Sequence, residues 1–137
     1  MIATSIEYRE RRDGSYLSVI ALSSGEKVGA AWLKLATAKK LEDSYDDIPD
    51  VDVIEEKGRV GFLNDIVVNK ASRRQGIATE LVSRLRGMAA KENIAAIYVH
   101  AVDLEGVDPV PFYLKCGFEQ IGKDSCGNPY LRIASQA

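Results

Sequence analysis

Histidine is nearly absent from this 137-residue sequence, and cysteine is scarce. One histidine (His100) and two cysteines (Cys116 and Cys126) cannot build a Cys/His zinc site, and no metal is expected. Two cysteines are also too few for the disulfide framework of a small secreted module, which points to a reducing cytoplasm. No apolar run approaches the roughly 20 residues that a membrane-spanning helix needs, so no membrane partner is expected. The opening residues Met1 to Glu7 lack a signal-peptide pattern. A surplus of positive charge is missing too. Eighteen Lys plus Arg stand against 20 Asp plus Glu, a formal net charge of -2. Holding nucleic acid by bulk charge requires the opposite balance. What is present is an ordinary globular mixture, 46% hydrophobic and 28% charged, in a length that suits one domain over residues 1–137.

The first third reads as strands. Ile2 to Arg9 contains an apolar/polar alternation, Tyr16 to Leu22 is rich in β-formers, and Val28 to Leu35 follows. Asp13-Gly14 and the segment Ser23 to Lys27 supply turns, so the three strands are expected to form an antiparallel meander. Residues 36–59 then change character, with eight acidic side chains (Glu42, Asp43, Asp46, Asp47, Asp50, Asp52, Glu55, Glu56) against four basic ones. Ala36 to Leu41 is compatible with a short helix, and Pro49 breaks any longer one. Strands on both sides make this an acidic insertion within a domain.

The second half alternates. Phe62 to Val68 is a strand. From Ile77 to Lys91 the residues Ile77, Leu81, Leu85, Met88 and Ala89 recur at helical spacing, although Gly87 weakens the helix by about 1 kcal/mol relative to Ala. Ile94 to Val102 is almost uniformly apolar, as a strand covered on both faces should be. Strand, helix and strand in this order predict a right-handed parallel crossover. Pro109 to Lys115 opens a short helix ended by Gly117, and Phe118 to Ile121 with Tyr130 to Ile133 closes the chain as a hairpin.

The connection from Val68 into the long helix reads Asn69-Lys70-Ala71-Ser72-Arg73-Arg74-Gln75-Gly76-Ile77-Ala78-Thr79. A helix start leaves unpaired N–H groups and positive dipole, a ready anion site. Gly76 and Ala78 allow close approach to the backbone, while Lys70, Arg73 and Arg74 add charge. Between Lys70 and Lys91 there are six basic residues and one acidic residue, a patch that the net charge conceals. Ligands in such sheets gather at the carboxyl ends of parallel strands, where this loop lies.

The pattern Arg73-x-x-Gly76-x-Ala78, with Leu63-x-x-Ile66-x-Val68 upstream, resembles the acetyl-CoA-binding motif of the GNAT superfamily of N-acetyltransferases. Downstream, the segment Pro111 to Phe118 is similar to that family's Tyr-x-x-x-Gly-Phe motif, carried here by Tyr113, Gly117 and Phe118. The resemblance covers residues 60–122 well. It implies an α+β (α/β) single-domain fold with a mixed, mostly antiparallel sheet of about six to seven strands, a central parallel pair and flanking helices. It also implies acetyl-CoA as co-substrate, an amine acceptor and direct transfer in a ternary complex. Backbone groups from Arg73 to Thr79 (Arg73, Arg74, Gln75, Gly76, Ile77, Ala78, Thr79) would cradle the diphosphate. The cofactor's arm would pair near Ile66, Val67 and Val68, where the two parallel strands splay, and the Val68 N–H would polarise the thioester carbonyl. Tyr113 matches the tyrosine that protonates the leaving thiolate. Homodimers are frequent among similar proteins, and one is allowed here.

The catalytic base is less plain. Some family members place a glutamate on the strand matching Phe62–Val68, but the register facing the substrate offers Phe62 and Asn64. Asn64 could position a water, and Asp65 should point to the opposite face unless a bulge intervenes. His100 resembles a glutamate base of ribosomal-protein alanine N-acetyltransferases, and histidine titrates in the useful range. Its other reading is a hydrogen-bonded histidine in a buried strand. Gly106 replaces an Asn that many relatives use to hold the cofactor. The helices that many relatives carry between the first two strands are reduced to a short turn near Gly14. The acidic insertion then favours a cationic acceptor, a small amine or a protein amino group. Residues 99–113 also resemble acetyltransferase toxins that modify aminoacyl-tRNA, so tRNA is the one nucleic-acid partner kept open. A non-catalytic acyl-CoA-binding sensor or interaction module is the non-enzymatic alternative.

Overall fold

The computed structural model describes residues 5–37, 56–73, 76–101, 108–124 and 126–135. Three strands open the fold: β1 (Ile6–Asp13), β2 (Tyr16–Ser23) and β3 (Glu26–Thr37). They form the expected antiparallel meander, continued by β4 (Arg59–Val68) against β3. Helix α1 (Ile77–Lys91) crosses to β5 (Ala96–His100), which lies parallel to β4. Helix α2 (Val110–Cys116) follows, then the hairpin β6 (Glu119–Lys123) and β7 (Pro129–Ala134). The seven-stranded sheet runs β1-β2-β3-β4-β5-β7-β6, and β4–β5 is its parallel pair.

The helix spacing read from the sequence matches the packing. Ile77, Leu81, Val82, Leu85 and Ala89 are buried on α1 and join Leu17, Val19, Leu33 and Leu131 in the main core. Each of the Leu, Ile and Val side chains contributes about 1.5–3 kcal/mol on burial. Met88 packs at the margin of that core, and Gly87 faces outward. On the opposite face of the sheet a smaller core holds Ala36, Val60, Phe62, Ala96 and Tyr98.

Three expectations are corrected. Ala36 and Thr37 do not begin a helix; they pair with Val60 and Arg59, so the ladder to β4 wins over local helix preference, while 38–55 lie outside the described residues. β1 runs on past Arg9 to Asp13 because pairing with β2 carries a charged edge strand that has no alternation of its own. The third correction concerns β4. Trp32 pairs with Asp65 and Leu33 with Leu63, so Asn64 is an extra residue, a β-bulge. Before it, Leu63 faces the helices; after it, Ile66 and Val68 do. Asp65 therefore shares a face with Trp32 and with Phe62, Trp32's neighbour in parity, contrary to simple alternation.

Candidate active site

The parallel ladder between β4 and β5 consists of two pairs, Gly61↔Ile97 and Phe62↔Tyr98. Beyond Phe62 the strands part: β4 continues to Val68 along β3, and β5 continues to His100 along β7. The Asn69 N–H donates to Val28 O across 2.8 Å, which makes that a hydrogen-bonded pair of the antiparallel ladder. By alternation, the main-chain N–H and C=O of Val68 and Ile66 turn away from β3 and into the gap. The Val68 carbonyl accepts a 3.3 Å hydrogen bond from Arg73 Nε, which agrees with that orientation.

Helix α1 begins beside the mouth of this gap. Gly76 takes a left-handed conformation (φ 76°) and no side chain caps the helix start. The first intrahelical bond runs from the Glu80 N–H to Gly76 O at 3.0 Å. The N–H groups of Ile77, Ala78 and Thr79 precede it and have no acceptor within the helix. They open on a cavity of about 460 Å³ whose wall includes Val68, Arg73, Gly76, Ile77, Ala78 and Thr79. Ser72, Phe112 and Lys115 complete the wall and were not foreseen from sequence. Phe112 and Lys115 are three residues apart on α2, one helical turn, which is the spacing that could have revealed them. Of the other residues matched to the cofactor motif, Ile66 packs against the main core, Val67 is 49% exposed on the other face, and Arg74 and Gln75 lie outside the described residues.

One hydrogen bond ties α2 to this floor. The Thr79 hydroxyl and the Cys116 thiol share a hydrogen bond, and burial pushes the thiol's pKa up despite that bond and the nearby Arg86 and Lys115. A raised thiol is a poor nucleophile, so Cys116 packs rather than reacts. Tyr113 is 7% exposed, its ring meeting Phe112 and Phe118 edge to face at 5.4 Å each. Burial first, then the charges of Cys116 and Asp65, push its phenol up to about 12. Asp65 is thus felt electrostatically by Tyr113, although the bulge sets it on the other face of the sheet.

His100 is 14% exposed at the side chain, with its Nε2 2.9 Å from Asp124 Oδ2. It also stacks at 4.6 Å on Tyr130, its cross-strand partner. An ionised Asp only accepts, so His100 donates through Nε2. Asp124 further accepts from the Cys126 and Asn128 N–H groups, both at 2.8 Å, and from Asn128 Nδ2 at 3.1 Å. Desolvation works upward on this carboxyl, but the bonds from Asn128, His100 and Cys126 outweigh it and hold it down at about 2. The unfolded value is about 3.9. The stabilisation is therefore complete above that value and is lost as pH falls toward 2. Asp124→Asn is expected to remove this dependence, flattening the rise in urea resistance between about pH 2 and pH 4.

On the same face as Asp65, Glu56 accepts from the Tyr98 hydroxyl and, at 3.0 Å, from Arg132 Nη2. These bonds outweigh desolvation and hold the Glu56 carboxyl below its ordinary value. They clamp the last part of the acidic insertion to the smaller core. The sequence shows Glu56 only as one acidic residue among eight. Among the described residues no helix is long and apolar enough to cross a membrane, and no cluster of three or more His, Cys, Asp or Glu is placed to hold a metal.

Among the described residues, a mixed sheet whose one parallel pair parts beside an uncapped, basic helix start offers a site for an anionic ligand. The chain belongs to the acetyltransferase (GNAT) family, whose model matches residues 2–118. Solved structures share the fold. Aminoglycoside 6'-acetyltransferase type Ii is 21% identical with a TM-score of 0.65, the match covering 91% of this chain and 72% of that one. NAA60 of Arabidopsis thaliana, in complex with a bisubstrate analogue, is 16% identical with a TM-score of 0.67, over 88% of this chain and 76% of that one. The PaiA N-acetyltransferase of Thermoplasma acidophilum, in complex with coenzyme A, is 14% identical with a TM-score of 0.65, over 88% and 61%. No curated protein sequence matches the chain.

Proposed function

We propose that residues 1–137 form one acetyltransferase domain that transfers the acetyl group of acetyl-CoA directly to a primary amine in a ternary complex. The observation that carries this reading is the uncapped start of α1, which opens with Arg73 and Lys115 onto a cavity at the parting of β4 and β5. Free N–H groups, positive dipole and two cationic side chains fit a diphosphate. Arg74 and Gln75 belong to the same motif. Bound acetyl-CoA supplies an activated acyl group on a good leaving thiol.

The chain's own residues divide the remaining work. The Val68 N–H, aimed into the gap, donates to the carbonyl oxygen where negative charge develops. Tyr113 faces the departing sulfur. Its phenol, at about 12, lies well above an ordinary thiol near 8.5. Full proton transfer to a thiolate would therefore run uphill by about 5 kcal/mol at 1.36 kcal/mol per unit. Tyr113 acts instead as a neutral donor that stabilises the thiolate through a hydrogen bond. Asp65, which the bulge moves to the Phe62 face, attracts the acceptor's ammonium, whose proton passes to solvent water before the free amine attacks; Asn64, the bulged residue, orients it. The negative field there, with the acidic insertion in sequence nearby, favours a cationic acceptor.

His100 is the other candidate base, and the bond of its Nε2 to Asp124 favours a structural role. His100→Gln is expected to leave the acidic limb of the pH–rate profile in place while lowering thermal stability; a displaced limb would transfer the base role to His100. The reading as a whole is tested by incubating cell extract and labelled acetyl-CoA with and without the protein, followed by mass spectrometry. Label in a small cationic amine or a protein amino group supports it. Label on aminoacyl-tRNA would favour the toxin-like reading, and acetyl-CoA binding without labelled product the non-catalytic module.

A further inference from the structure

The sheet face opposite the helices carries a second constellation, outside the wall of the cofactor cavity. Trp32 on β3 is the direct register partner of Asp65 on β4. Such partners stand with Cβ atoms about 4.5–5.5 Å apart on one face. The ammonium of Lys27 lies over the Trp32 ring, 5.2 Å from its centroid. Among the described residues, neither Lys27 nor Asp65 takes part in an ion pair. A cation thus already rests on the indole beside a carboxylate that it does not engage. The ring face attracts cations through its quadrupole, and the neighbouring carboxylate strengthens that field.

We propose that the Trp32 indole receives a second ammonium of the acceptor while Asp65 holds the amine that is acetylated, and that Lys27 occupies the ring in the free protein as an intramolecular competitor. The acceptor class is then a short diamine or a longer polyamine-like chain. A monoamine fills only the Asp65 half. This inference rests on the amine-acetyltransferase reading and adds to it the specificity-determining residue.

Trp32 is the single tryptophan of the chain, so its fluorescence reports the site without background. The experiment titrates the full-length protein and its Lys27→Gln variant with 1,5-diaminopentane and, separately, 1-aminopentane. The diamine is expected to change the emission saturably, with a midpoint about 5-fold lower in Lys27→Gln because the competitor is gone. The monoamine should need a concentration about 5-fold or more higher. In a parallel thiol-release assay, Trp32→Leu should raise the diamine KM about 5-fold with kcat retained, and Trp32→Phe should recover part of the loss. Equal midpoints for the two amines in both proteins would overturn the proposal. So would a higher diamine midpoint in Lys27→Gln, which would make Lys27 an anchor for an anionic group. A fluorescence response without thiol release would sink acetyl transfer and leave the diamine site standing; thiol release with no diamine preference would do the reverse.

Discussion

Tyr113→Phe is expected to lower kcat about 100-fold while the affinity for acetyl-CoA changes less than about 2-fold, because a lost donor to developing charge is felt only in the transition state. The substitution deletes one oxygen. The ring keeps its edge-to-face contacts with Phe112 and Phe118, so the fold should survive. Stability carries a second signature. The folded phenol sits at about 12 against about 10 when unfolded, so the native state holds this proton more tightly. Native stability is then complete below pH 10 and declines as pH rises from 10 toward 12. The Phe variant should not show that part of the decline. Steady-state kinetics with isothermal titration of acetyl-CoA, and melting curves at pH 9 and pH 11, check both halves. Unchanged kcat would remove Tyr113 from the chemistry.

Gly76→Asp is expected to weaken acetyl-CoA binding about 100-fold, or about 2.7 kcal/mol, without unfolding the protein. The new carboxylate competes for the same N–H groups of Ile77, Ala78 and Thr79 that would hold the diphosphate, and it opposes the ligand's charge. Charge-assisted hydrogen bonds are worth about 1.5–3 kcal/mol each, so displacing one or two accounts for the loss. Asp tolerates a left-handed conformation better than most residues, and an acidic group suits a helix N-terminus. Gly76→Ala is the control. An added Cβ meets nothing within 4 Å, so its cost is backbone strain at φ 76° and should appear in the melting temperature more than in the dissociation constant. Calorimetric titration of both variants separates the effects.

Helix α1 and the closing hairpin were legible because their signals are local. Residues Ile77 to Ala89 repeat at helical period, and a turn between two short apolar runs leaves few alternatives. The loop before α1 stood out for a different reason: glycine, small residues and arginines at a helix start suit an anion, and Arg73 and Gly76 to Thr79 line a cavity there. The face of Asp65 was legible only as conditional on a bulge. A bulge at Asn64 depends on how β4 matches β3 across the sheet, and no residue in β4 announces it. The same holds for Glu56, whose partners Tyr98 and Arg132 stand 42 and 76 residues away in the chain. His100 read both ways in sequence because its partner Asp124 comes from a turn that only the β6–β7 hairpin brings to β5. The acidic residues Asp46, Asp47 and Asp50, read as a lure for cations, lie outside the described residues.

The central claim is direct acetyl transfer to an amine at the parting of β4 and β5. Its most direct test is the initial rate of free thiol release from acetyl-CoA, measured while acetyl-CoA and 1,5-diaminopentane are varied together. The account predicts release that requires both substrates, saturates in each, gives intersecting double-reciprocal lines, and falls about 100-fold in Tyr113→Phe. Thiol release at the same rate without any amine, or parallel lines signalling an acetylated enzyme, would contradict it.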